Sequence, residues 1–264
     1  MSGLVSITGD QRGESALAHL PVLGNPVEEV LIEARGLSHI DAFTAVTLRA
    51  LVEYHGRHGQ QTVTFRPPEG ATTWSVLSNL MGRDLPRHFC LARETSPPAS
   101  RARAAVLPTQ RVETLDVADL IADGLPDVIG DEYGRRNARF LAGAFGALAE
   151  NALVHGSRSP TSALAAIGFD REANALQLVV NDLGKGLSLA DDPEEAVIDL
   201  VERSGDTGGG IAGLARDAER KEIDLDLRIA SSGGRLSWRG GVPKVSAAQA
   251  VPGFTAAAIV HLES

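Results

Sequence analysis

The chain has 264 residues, 43% hydrophobic but only 4% aromatic, with a formal net charge of −9. That length is comfortable for two domains, and so few aromatics leave core packing to alanine and small aliphatic side chains. The acidic balance argues against a nucleic-acid surface, which needs clustered Lys and Arg to displace counterions.

Cys90 is the only cysteine, so no disulfide can form within the chain and a reducing compartment fits. The opening MSGLVSITGDQRGESALAHL has no basic run followed by an apolar one, and no signal peptide is expected. The most apolar long stretch, FLAGAFGALAENALV (140–154), is broken by Glu150 and Asn151. It is also shorter than the roughly 20 residues a spanning helix requires. A soluble cytoplasmic protein is the expectation, with neither membrane nor nucleic acid among its partners.

Residues 1–26 carry little signal. VLIEA (30–34) predicts a strand, and Asp41 is placed to cap a following helix, since its carboxylate can accept from free first-turn amides. Ala45, Leu48 and Val52 recur at helical spacing, and Gly59 suits a stop. TVTF (62–65) predicts a second strand. Residues 71–81 predict a helix with Trp74, Leu77, Leu80 and Met81 on one side and Gly82 after it. Residues 93–110, rich in Pro, Ser, Ala and Arg without a clear period, predict a linker between domains at 1–92 and 111–264.

Residues 111–140 are helical in tone, with an interruption expected at Gly124-Leu125-Pro126. The spacing predicts a helix over 135–155, with Leu141, Phe145, Leu148 and Ala152 as one buried stripe. Glu150 and Asn151 near its apolar middle are costly unless they bind something. The plain alternative leaves Glu150 exposed and Asn151 capping a neighbouring loop. ALAAIGF (163–169) and ALQLVVND (175–182) predict strands joined by a turn at Asp170–Asn174. The second strand ends in Asp182-Leu183-Gly184-Lys185-Gly186, where a carboxylate can accept from an exocyclic amine and glycines allow close backbone approach. Such a DxGxG run also occurs in ordinary turns.

DPEEAVIDLV (192–201) predicts a short helix capped by Asp192 with Pro193 at its first position. SGDTGGG (204–210) then opens the helix AGLARDAER. A glycine run at a helix N-terminus suits phosphate, because free amides and the helix dipole face the anion; it equally suits a plain loop. EIDLDLRIA (222–230) alternates as a half-buried strand should, a turn leads into RLSWR, and GFTAAAIVHL (253–262) predicts a last strand.

Two resemblances follow from these runs. The stretch GLSHIDAFTAVTLRALVEYHGRHGQQTVTF, within residues 15–91, resembles a STAS domain, the fold of anti-sigma-factor antagonists. In phosphoregulated members a phosphate-accepting serine follows the aspartate directly. Here Ala42 stands in that place, then Phe43 and Thr44, which implies a docking module without that switch. FGALAENALVHG, VVNDLGKGLS and SGDTGGGIAGLARDAER, in that order, resemble the ATP site of the Bergerat-fold (GHKL) proteins, most of all the anti-sigma-factor kinases.

That second resemblance implies an α/β sandwich, a mixed sheet covered by helices, over 111–264, with ATP and Mg²⁺ as ligands. It implies Asn151 as the Mg²⁺ residue and Asp182 as acceptor of the adenine amine. Gly184 and Gly186 would lie against the base, and Gly208, Gly209, Gly210 and Gly213 around the phosphates. His155 would be structural. Ile211 and Ala212 depart from the glycine pattern. In the non-histidine-kinase branches a glutamate sits four residues before the asparagine. Here that place is Ala147, so Glu150 is the remaining catalytic candidate. The expectation is an ATP-binding signalling regulator of the partner-switching type, with a protein partner, room for a homodimer, and slow or absent hydrolysis. The competing expectations are an active ATPase or serine kinase using Glu150, and an interaction protein with a dead pocket.

Overall fold

The computed structural model describes residues 2–6, 9–11, 29–59, 62–82, 85, 87, 89–91, 105–155, 162–184, 210–231, 234–240, 242–247 and 253–263. Among them the protein is mixed α/β, with parallel and antiparallel sheets and five helices. The sequence-expected helix at 192–201, Gly186, Gly208, Gly209 and most of the linker lie outside the described residues.

The N-terminal elements are β1 (Ser2–Ser6), β2 (Gly9–Gln11), β3 (Glu29–Glu33), β4 (Leu37–Ile40), α1 (Ala42–Gly59), β5 (Thr62–Arg66), α2 (Ala71–Met81) and β6 (Phe89–Leu91). β1, β3, β5 and β6 form a parallel sheet in that order, and β2 pairs with β4. Asp41 caps α1 as expected. Its Oδ1 accepts from the Thr44 amide at 2.8 Å and from the Thr44 hydroxyl at 2.7 Å. Ala45, Leu48 and Val52 are buried, as are Trp74, Leu77, Leu80 and Met81 of α2. β1, in the stretch read as carrying little signal, is an addition to the sequence expectation.

The C-terminal elements are β7 (Ala105–Val112), α3 (Leu115–Tyr133), α4 (Arg135–His155), β8 (Ala163–Asp170), β9 (Ala175–Asn181), α5 (Gly210–Arg220), β10 (Leu225–Ser231), β11 (Gly234–Arg239), β12 (Val242–Ala247) and β13 (Phe254–His261). The strands form one seven-stranded sheet in the order β12-β11-β10-β13-β9-β8-β7. Each of its pairings is antiparallel, which corrects the expected mixed sheet. β7 corrects the linker: residues 105–110 pair with β8 as the sheet's edge. α3 runs unbroken through Pro126, correcting the interruption expected there. The proline forfeits one helix hydrogen bond. Burial of Leu125 and Ile129 on either side keeps the helix on the sheet. The turn between α3 and α4 uses Gly134 at φ +87°, open to glycine at little cost.

Both faces of the seven-stranded sheet are covered. Leu176, Leu178 and Val180 of β9 point to α3, α4 and α5, in one core with Leu141, Phe145, Ile211 and Leu214. Val179 points the other way, into a core with Phe43, Leu48, Leu51 and Val52 of α1, and Ala166, Ala230 and Ala257 join it there. These alanines let a helix approach the sheet closely. The two halves of the chain therefore share a hydrophobic core. Polar contacts reinforce that contact. The Ala42 amide donates to Gln177 Oε1 at 3.0 Å. Glu53 accepts from Arg49 at 2.8 Å and from Arg111 of β7 at 2.6 Å.

Candidate functional site

The strand register sets which residues meet. Leu164 at the start of β8 lies opposite Asn181 at the end of β9, and Phe254 at the start of β13 lies opposite Ser231 at the end of β10. α5 ends at Arg220 and leads into Leu225 at the opposite end, so its first residue, Gly210, is directed back toward Asp182. Along β9, Leu176, Leu178 and Val180 face α4, and the alternation places Asp182 on that side too. Asp182 and Gly184 thus lie at one end of the sheet, on the face against which α4, carrying Asn151, and α5, beginning at Gly210, are packed.

Asp182 is the most constrained of them. It is 5% exposed. Its Oδ1 accepts from the Phe254 amide at 2.7 Å and from the Gly184 amide at 2.8 Å. No described residue donates to Oδ2. Burial pushes the carboxyl up to about 6, while the two amide bonds pull in the other direction and lose to desolvation. Gly253, at φ +69°, packs against this carboxylate, and a Cβ there would collide with Oδ1. Asn181 is fully buried. Its side chain donates to Thr255 Oγ1 at 2.8 Å and accepts from the Leu183 amide at 2.8 Å. That bond holds Leu183 at φ +52°, a conformation a branched residue adopts only when its surroundings impose it. Gly253, Phe254, Asn181 and Thr255 were not singled out in the sequence. Their roles arise from β13 lying beside β9, which the linear order does not reveal.

Glu150 and Asn151 separate. Glu150 is exposed, Asn151 is half-buried, and Ala147, one turn before Asn151, packs partly against the core. Gly210 has φ +61° and is the first residue of α5, so the amides of Gly210 to Gly213 lack intrahelical partners. Ile211 and Ala212, where the glycine pattern lapses, are buried on the inner face of α5.

No family model, no curated protein and no solved structure matches this chain. Among the described residues no group of three or more His, Cys, Asp or Glu side chains is placed to hold a metal ion. Among them, too, no helix is long and apolar enough to cross a membrane.

Two cavities lie away from Asp182. One of about 220 Å³ opens between the start of α1 and the β8–β9 turn, beside His39, Thr72, Asp170 and Gln177. The other, of about 690 Å³, is at the opposite end of the sheet, beside Arg135, Asn174 and His261.

Proposed function

We propose that the protein is an ATP-binding signalling regulator in which a GHKL-like nucleotide domain is joined to a STAS-like layer. The observation that carries this reading is Asp182. Its carboxylate is buried at a strand end, two backbone amides hold one oxygen in place, and no described residue donates to the other. A fixed acceptor of this kind suits an exocyclic amine, and the same feature is the fit test for an adenine ring. Gly184 beside it leaves room for a flat base. The first-turn amides of α5 suit phosphate oxygens, and the half-buried side-chain oxygen of Asn151 suits Mg²⁺. ATP and Mg²⁺ supply charge and an energy-rich bond when bound. The chain's own residues position the base and exclude water from its edge.

Two features support a regulatory rather than a catalytic role. No acid occupies position 147, and Glu150 is on the exposed side of α4. Leu183, between Asp182 and Gly184, packs in the core shared with α1, so a change at the nucleotide end bears directly on the N-terminal layer. Nucleotide state would then govern contacts with a protein partner.

Calorimetric titration of ATP, with and without Mg²⁺, tests the reading. Wild type is expected to bind, and Asp182→Ala to lose about 1–3 kcal/mol, up to roughly 100-fold in affinity. Equal binding by the two proteins, or none by either, would remove the nucleotide pocket.

A further inference from the structure

Among the described residues, four of the six large hydrophobics with high exposure are on α3: Leu115 (43%), Val117 (38%), Leu120 (75%) and Val128 (66%). A helix that packs on a sheet normally turns such side chains inward. α3 does so with Ala118, Leu125 and Ile129. Val117, Leu120, Gly124 and Val128, at i, i+3, i+7 and i+11, form a second stripe along its outer flank. Gly124 keeps the middle of that stripe low: a Cβ there would meet nothing within 4 Å.

The charge pattern runs beside it. α3 spans 19 residues and carries Asp116, Asp119, Asp123, Asp127, Asp131 and Glu132 without one Lys or Arg. Asp119, Asp123, Asp127 and Asp131 succeed one another at i+4, an arrangement of like charges that works against the helix itself. No ion pair engages Asp116, Asp123 or Asp127 among the described residues. Among the described residues no ion pair joins Arg135, Arg136 or Arg139 of α4 to these aspartates. Gly130 approaches Arg135, and Arg136 turns away to Glu263 at 3.0 Å.

We infer that the outer face of α3 is a docking surface for a basic amphipathic helix of a partner protein. The partner's apolar residues lie along Val117, Leu120, Gly124 and Val128, and its Lys or Arg residues reach Asp116, Asp123 and Asp127. From Val117 to Val128 the stripe is about 16 Å long, three turns of helix, which matches the helix-in-groove mode of recognition. Charge decides the occupant. A second copy of this chain would bring the same uncompensated aspartates against themselves, whereas a basic helix neutralises them. The surface stands whether or not the Asp182 end holds nucleotide.

The test uses the full chain and a fluorescently labelled leucine–lysine amphipathic peptide of about 14 residues, long enough to cover the stripe, with a scrambled peptide of the same composition as control. Anisotropy is expected to show the amphipathic peptide bound about tenfold or more tightly than the scrambled one. Leu120→Ser with Val128→Ser is expected to lose about tenfold in affinity. Asp123→Lys with Asp127→Lys is expected to weaken binding and flatten its salt dependence. Both variants change only exposed side chains and should keep the circular dichroism of the parent. Equal binding of the two peptides, undiminished binding by the serine variant, or no binding would each overturn the proposal. So would sedimentation showing that the chain pairs with itself through this face.

Discussion

Asp182 is the buried carboxyl on which the proposed nucleotide reading rests. Its ordinary carboxyl value is 3.8, and the folded value of about 6 is raised by burial. The sign follows from linkage. Between those values the folded state holds a proton that the unfolded state releases, so this group's contribution declines as pH rises through the window. At neutral pH the penalty is on the order of 3 kcal/mol. Asp182→Asn keeps an acceptor for the two amides and is expected to raise the melting temperature at pH 7, with the gain vanishing toward pH 4. An unchanged difference across that range would disconnect the buried carboxylate from stability. Nucleotide affinity should move oppositely, falling as pH drops below about 6, because a protonated oxygen no longer accepts the amine.

Turnover belongs to the same scale. Glu150 is adjacent to Asn151 in sequence and so lies about 100° around the helix, on its exposed side. A missing general base typically costs about 10²–10⁴ in rate. Phosphate release is therefore expected to be very slow in wild type and unaltered in Glu150→Gln, and Ala147→Glu is the variant expected to raise it. Brisk release that collapses in Glu150→Gln would make the protein an enzyme. Ala42 and Thr44 complete the residue picture. Both are buried, and the Ala42 amide is bonded to Gln177. No phosphate is expected on residues 41–44 after incubation with a serine kinase. Mass spectrometry finding it on Thr44 would restore a switch that this packing forbids.

Among the elements, α1 has the widest consequences. It caps itself with Asp41 and lays Leu48, Leu51 and Val52 on the sheet. It also holds the edge strand β7 through Arg49, Glu53 and Arg111. Arg49 and Glu53 are each 4% exposed. Breaking such a buried pair from one side leaves a charge without its partner. Glu53→Ala is expected to cost about 3–5 kcal/mol in urea denaturation. Replacing Arg49 and Glu53 together by apolar residues of similar volume should cost less than Glu53→Ala. If the single substitution proves harmless, the ionic clasp is not what joins the layers. The second fixture of β7 is Thr109, whose hydroxyl donates to the Leu80 carbonyl at the end of α2. Gly82 then leaves α2 so close to the Thr109 carbonyl that no side chain would fit.

At the scale of the whole molecule, the shared core between α1 and the sheet predicts joint unfolding. Calorimetry on the full chain is expected to give one transition whose van't Hoff and calorimetric enthalpies agree. Two separated transitions would mean the layers are independent domains. A fragment beginning at residue 105 would expose Leu164, Ala166, Val179 and Ala257, and it is expected to aggregate rather than fold to a stable monomer.

Local signals settled much of this from the sequence alone. Periodicity and caps marked α1, α2 and α4 and the strands β3, β5, β8, β9 and β13, because helix and strand spacing and terminal capping act over a few residues. The acid at the end of β9, the glycines near it and the asparagine on α4 were visible for the same reason. The contacts that give those residues their environment were decided only in three dimensions. The insertion of β13 between β10 and β9 brings Gly253 and Phe254 onto Asp182. The docking of α1 buries Ala42, and residues 105–110 of the expected linker pair with β8 as an edge strand. Strand pairing and layer packing join residues far apart in the chain, and hydrophobic burial is non-directional. A single sequence can therefore mark ALAAIGF and GFTAAAIVHL as strands without showing that helices cover them on both faces.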